Sequence, residues 1–98
     1  MSLPIVYLLE AQDDIDAAYA QYEQRLAGLG NSFLQKLRDV IDSIADNPEL
    51  YATIHQDIRA AMLRRFPCVV YYRAEPAQVL IIAVEHGRSG SRSWQSRG

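Results

Sequence analysis

The chain has 98 residues, of which 49% are apolar and 22% charged, with a net charge of −2. That suffices for one small domain over 1–98, burying roughly 60–65% of the surface its unfolded chain exposes, and it excludes two domains with separate cores. The ordinary apolar fraction and low net charge exclude wholesale disorder. The longest apolar run, Val79 to Val84, falls far short of the about 20 residues that span a bilayer. No charged-then-apolar leader opens the chain, and the lone Cys68 forms neither an internal disulfide nor a zinc site unaided. A cytoplasmic setting is therefore expected, with no membrane, metal or cofactor.

In chain order, the apolar run after Pro4 predicts a strand over 5–9. Asp13, Asp14 and Asp16 complement the positive end of a helix dipole, and Ile15, Ala18, Tyr22, Leu26 and Leu29 recur at helical spacing, which predicts a helix over 12–27. Gly28 and Gly30 break it, and Asn31 or Ser32 can cap the next. That second helix, over 31–46, carries the clearest apolar stripe (Phe33, Leu34, Leu37, Val40, Ile41, Ile44, Ala45) and stops at Asn47-Pro48. A connection of a few residues makes the two helices an antiparallel hairpin. Runs rich in Val, Ile and Tyr predict strands over 58–65, 68–73 and 78–86, joined at hairpin-loop lengths as a meander. The fold class is α+β: an amino-terminal strand, then the helix hairpin packed on one face of a mainly antiparallel four-stranded sheet, and a short basic tail over 87–98.

The net charge conceals an asymmetry. Residues 1–57 carry three bases against ten acids, a balance of −7, whereas 58–98 carry seven arginines against Glu75 and Glu85, a balance of +5. Nine of the ten bases are arginine, whose planar fork grips phosphate and carboxylate. An attractive face for anions is one reading; unevenly charged solvated surface is the other.

His86-Gly87-Arg88, with Arg92 and Trp94 behind it, is the most specific cluster, because a strand end is where a rigid scaffold presents functional groups. A histidine there can pass protons near neutral pH while Arg88 and Arg92 hold a phosphate. The competing reading is a strand-end histidine followed by a solvated tail. Arg59, Arg64, Arg65 and Arg73 suit a basic sheet face opposite the helices, although strand alternation sends Arg64 and Arg65 to opposite sides. They serve equally well to keep an exposed face soluble. Tyr71 and Tyr72 read as one surface and one core residue.

Five segments, Ala17-Ala18-Tyr19 with Tyr22-Glu23, Gly28-Leu29-Gly30 with Phe33-Leu34, Asn47-Pro48-Glu49-Leu50-Tyr51, Arg64-Arg65-Phe66-Pro67 with Val70-Tyr71-Tyr72-Arg73, and Ala83 to Arg88 with Trp94, resemble the RelE/ParE superfamily of bacterial toxins over about residues 10–97. The plasmid-stabilisation, ParE-like branch is the more similar. The resemblance implies a toxin silenced by a cognate antitoxin, alone as a homodimer or joined in a hetero-oligomer. It also implies one of two targets: DNA gyrase for ParE-like members, which have no established catalytic residues, or messenger RNA in the ribosome for RelE-like members.

A ribonuclease needs a proton acceptor, a proton donor and a cationic clamp for the phosphorane. The residues that would serve in a metal-independent endoribonuclease are His86, Arg64, Arg73 and Arg88. For binding a target or antitoxin they are Arg59, Arg65, Arg88, Arg92 and Trp94. The RelE branch carries several functional lysines and often a tail tyrosine, whereas this chain has only Lys36 and no tyrosine after Tyr72. Gyrase inhibition is therefore the favoured expectation, an mRNA endonuclease the alternative, and a non-toxic protein-binding module the third. Whether the chain is an enzyme stays open at this point.

Overall fold

A computed structural model describes residues 2–86 and 93–97. The elements run β1 (Ile5–Tyr7), α1 (Leu9–Arg25), α2 (Leu29–Asp46), β2 (Thr53–His55), β3 (Ile58–Met62), β4 (Cys68–Ala74), β5 (Val79–His86) and a 3-10 turn, η1 (Ser93–Ser96). The strands form one sheet ordered β1-β5-β4-β3-β2. β1 runs parallel to β5 and the remaining pairs are antiparallel. No helix among the described residues is long and apolar enough to cross a membrane.

The α+β architecture matches the expectation, with one more strand than the four expected. β2 escapes the sequence because it is three residues long and turns into β3 through Gln56, whose φ is 51°, without the Asn-Gly or Asp-Gly pair that marks a tight hairpin. The first strand is shorter than 5–9. Leu8 N–H still donates to Ile81 O, but Leu8 O already accepts from Gln12 N–H, so the chain passes from sheet to helix within one residue. Helix α1 therefore starts three residues before the expected 12, and Asp13, Asp14 and Asp16 lie inside it.

Helix α2 starts at Leu29 rather than 31, and neither Asn31 nor Ser32 caps it. The cap comes from the preceding helix: Glu23 Oε1 accepts from Gly28 N–H at 2.9 Å and Gly30 N–H at 2.8 Å. This meets donors that a helix start leaves without partners and places a negative charge at the positive end of the dipole. Gly28 has φ 90°, in the left-handed region. Gly30 is the point of closest approach, where a Cβ would meet the Tyr19 ring at 2.8 Å.

The helix hairpin covers one sheet face. Phe33, Leu37, Ile41 and Ile44 of α2 and Ile15 and Tyr22 of α1 pack on Ala61, Cys68, Val70, Tyr72, Val79, Ile81 and Val84. The pairing Tyr71↔Ala83 followed by Tyr72↔Ile81 leaves Ile82 as an extra residue, a bulge that lets Ile81 and Val84 face the helices together. The other face carries a second, smaller cluster of Ile58, Ile82 and Ala83, closed by Trp94. Trp94 stacks on Tyr71 with centroids 4.4 Å apart and planes within 8°, and His55 meets its edge. Within 93–97, Trp94 thus returns to the sheet as core rather than standing free as a candidate binding residue. An indole with this much apolar area is stabilised by burial wherever a matching face is within reach.

Candidate functional site: a basic end beside the helix turn

The reading that places Arg59, Arg64, Arg65 and Arg73 on one exposed sheet face does not hold. Strand β3 ends at Met62, so Arg64 and Arg65 occupy the turn before β4 and do not alternate across a strand. Arg65 has φ 67°, the left-handed region that disfavours a Cβ-bearing residue. Arg59 braces the segment after α2, its Nη1 donating to Tyr51 O at 2.6 Å, with Glu49 4.0 Å from its other terminal nitrogen. Arg73 projects from the sheet face away from the helices and pairs with Asp57 at 3.2 Å. Arg97 is half-buried against Asp14 at 2.7 Å. Arg88 and Arg92 lie outside the described residues.

Of the ribonuclease candidates, His86 and Arg73 are not brought together. His86 is paired with Cys68 at one end of β4, while Arg73 is paired with Leu80 and Ile58 at the other. Five residues of strand separate these positions by roughly 17 Å. Alternation puts Arg73 on the Trp94 face, whereas His86 borders the cleft against α1. Tyr72 is fully buried and donates to Pro48 O, and Tyr71 lies under Trp94, so neither ring lies open for stacking on a base.

A different grouping is present, and no local pattern marks it. Phe66, between Arg65 and Pro67 in the β3–β4 turn, packs edge-on against Tyr22 of α1 and Phe33 of α2. That aromatic triad brings the turn bearing Arg64 and Arg65 to the end of the helix hairpin. Arg25, in the last turn of α1, lies over the Tyr22 ring at 5.9 Å, and its charge complements the helix carboxyl end. Lys36 of α2 shares a groove with Arg64, Asp39, Tyr51 and the exposed Met62. Among the described residues Arg25, Lys36, Arg64 and Arg65 form no ion pair with an acid, in contrast to Arg59, Arg73 and Arg97. Leu26, 64% exposed, adds apolar surface at the same end.

A cleft of about 170 Å³ opens beside this end, between α1 and the last residues of β5. Its lining includes Ala17, Ala18, Gln21, Tyr22, Arg25, Cys68, Val84 and His86. Tyr22 Oη lies 3.4 Å from Cys68 Sγ. Burial first, and then the Cys68 contact, push the Tyr22 phenol up to about 12, and burial raises the Cys68 thiol as well. Both groups therefore stay protonated near neutral pH, and Cys68 is a poor nucleophile there because the thiolate is the reactive form. Among the described residues no group of three or more His, Cys, Asp or Glu side chains is placed to hold a metal ion.

No curated protein sequence matches the chain. Among solved structures, a chain of the "Chromosomal ParDE TA system from P. aeruginosa" superposes with a TM-score of 0.74 at 16% identity, covering 87% of this chain and 96% of that one. At such identity the likeness concerns the fold. The family model described as ParE toxin of type II toxin-antitoxin system, parDE, matches residues 5–90. Reaching from β1 past the end of β5, this match takes in both helices and every strand, and the chain belongs to that family of ParE toxins.

Proposed function

We propose that the chain is the toxin of a two-protein module, held silent in the cytoplasm by a cognate antitoxin, and that it acts by binding DNA gyrase rather than by cutting RNA. The observation that carries this reading is the separation of Arg73 from His86. Acid–base cleavage of a phosphodiester needs its proton-transfer group and its cationic clamp within hydrogen-bond reach of one phosphate, and about 17 Å of strand keeps Arg73 from serving as that clamp for His86. The basic end suits a binding role instead. Arg25, Lys36, Arg64 and Arg65 are free of ion pairs with acids among the described residues, and they flank exposed Leu26 and Met62. A charged rim around apolar surface is how protein docking sites are built.

Induced expression in a bacterium lacking the antitoxin tests this. The reading expects arrested growth that co-expressed antitoxin relieves and that His86→Ala leaves intact. Codon-phased cuts in total RNA, abolished by His86→Ala, would establish the endonuclease instead. Normal growth at confirmed expression would leave only a non-toxic binding module.

A further inference from the structure

The cleft between α1 and the end of β5 is lined by both apolar and polar groups. Ala18, Val84 and Cys68 line its wall, with the exposed Ala17 on its rim. Around it stand three groups that can donate, the Arg25 guanidinium, the Gln21 amide and the Tyr22 hydroxyl, the last of which can accept the Cys68 thiol proton and donate its own. Two acids also border it, and both are turned to other tasks. Asp14 Oδ2 accepts from Arg97 and from Val84 N–H. Glu85 acts electrostatically on Tyr71 and Arg97, on the Trp94 side of the sheet.

We propose that this cleft receives an aspartate or glutamate side chain of the protein partner that docks at the basic end, an inference that rests on the reading of that end given above. At about 170 Å³ the space is well below the roughly 300 Å³ at which small-molecule sites begin. A carboxylate on a short aliphatic stem fits it, the stem against Ala17, Ala18 and Val84 and the oxygens toward Arg25, Gln21 and Tyr22. A phosphodiester brings two ester-linked sugars that the alanine walls leave no room for. Arg64 and Arg65, on the neighbouring turn, steer a negatively charged surface toward the opening.

The test titrates the isotope-labelled full chain with N-acetylglutamate N-methylamide and, separately, with uridine monophosphate, following amide and Arg Nε resonances. The glutamate compound shifts Ala18, Tyr22, Val84 and the Arg25 Nε together and saturably, with uridine monophosphate at least about tenfold weaker at those positions. Ala17→Trp, at an exposed helix position on the rim, weakens glutamate binding by about tenfold or more with an unchanged melting temperature, and Arg25→Ala weakens it by roughly three- to tenfold. No saturable shift, or tighter binding of uridine monophosphate at the same residues, overturns the proposal. The basic end is judged separately by the toxicity of Arg64→Glu/Arg65→Glu, so a failed titration removes the cleft's role alone.

Discussion

Arg97 lies 2.7 Å from Asp14, and together the two side chains stand in for a strand along the outer edge of β5. β1 pairs only with Val79 to Ile81. Beyond it Val84 N–H donates to Asp14 Oδ2 at 3.1 Å, and Ile82 O accepts from Arg97 Nη1 at 3.1 Å. A helix residue and a carboxyl-terminal residue thereby satisfy backbone groups that an open sheet edge leaves unpaired.

Replacing either residue of that pair leaves a half-buried group without its partner. Asp14→Ala and Arg97→Ala are each expected to lower stability by about 1–3 kcal/mol. In a double-mutant cycle read by denaturant midpoints the two are non-additive. Additive effects would show that the pair contributes nothing beyond its separate contacts.

Trp94 is the only tryptophan of the chain, so its fluorescence reports the docking of η1. Trp94→Ala is expected to cost about 3–5 kcal/mol, the range for truncating a buried aromatic. In the parent chain, emission should stay at short wavelength until the cooperative unfolding transition. An indole spectrum typical of water in the native protein would mean that η1 does not rest on Tyr71.

Arg65 separates stability from function. Its φ of 67° is a conformation that glycine adopts freely, and relieving it stabilises by about 1 kcal/mol. Arg65→Gly should therefore melt higher than the parent while inhibiting growth less. Equal or greater toxicity in the stabilised variant would exclude Arg65 from the docking surface.

The alkaline limb of stability tests the Tyr22–Cys68 contact. Folding raises the Tyr22 phenol from 10.0 to about 12, so between these values the unfolded chain loses the proton first and binds fewer protons than the native one. Stability then falls as pH rises through this window, having been fully present below it. Tyr22→Phe should show a shallower loss of denaturant midpoint above pH 10 than the parent. An identical slope would mean that Tyr22 is not the group responsible.

The regular parts of this fold were legible because periodicity and burial agree in them. The stripe from Phe33 to Ala45 predicts α2 almost to the residue, and the apolar run Val79 to Val84 reads as the buried strand it forms. What escaped depends on contacts between residues far apart in the chain. Glu23 caps α2 from the preceding helix, and Asp14 serves β5 at a separation of 70 residues. Neither leaves a local signature. The basic end was hidden for a related reason: Arg25 and Lys36 lie in the half of the sequence with negative balance, and only the packing of Phe66 on Tyr22 and Phe33 carries Arg64 and Arg65 to them. Charge balance along the sequence therefore does not show which arginines share a surface. Arg59, Arg73 and Arg97 are engaged by Glu49, Asp57 and Asp14 from the acidic half.

The most direct test incubates the purified chain with DNA gyrase, ATP and supercoiled plasmid, and measures linear DNA after denaturing the enzyme. The account predicts linear plasmid with the parent chain and with His86→Ala, and its loss with Arg64→Glu/Arg65→Glu. No trapped linear DNA with a parent chain that arrests growth, or trapping that survives reversal of both arginines, would contradict it.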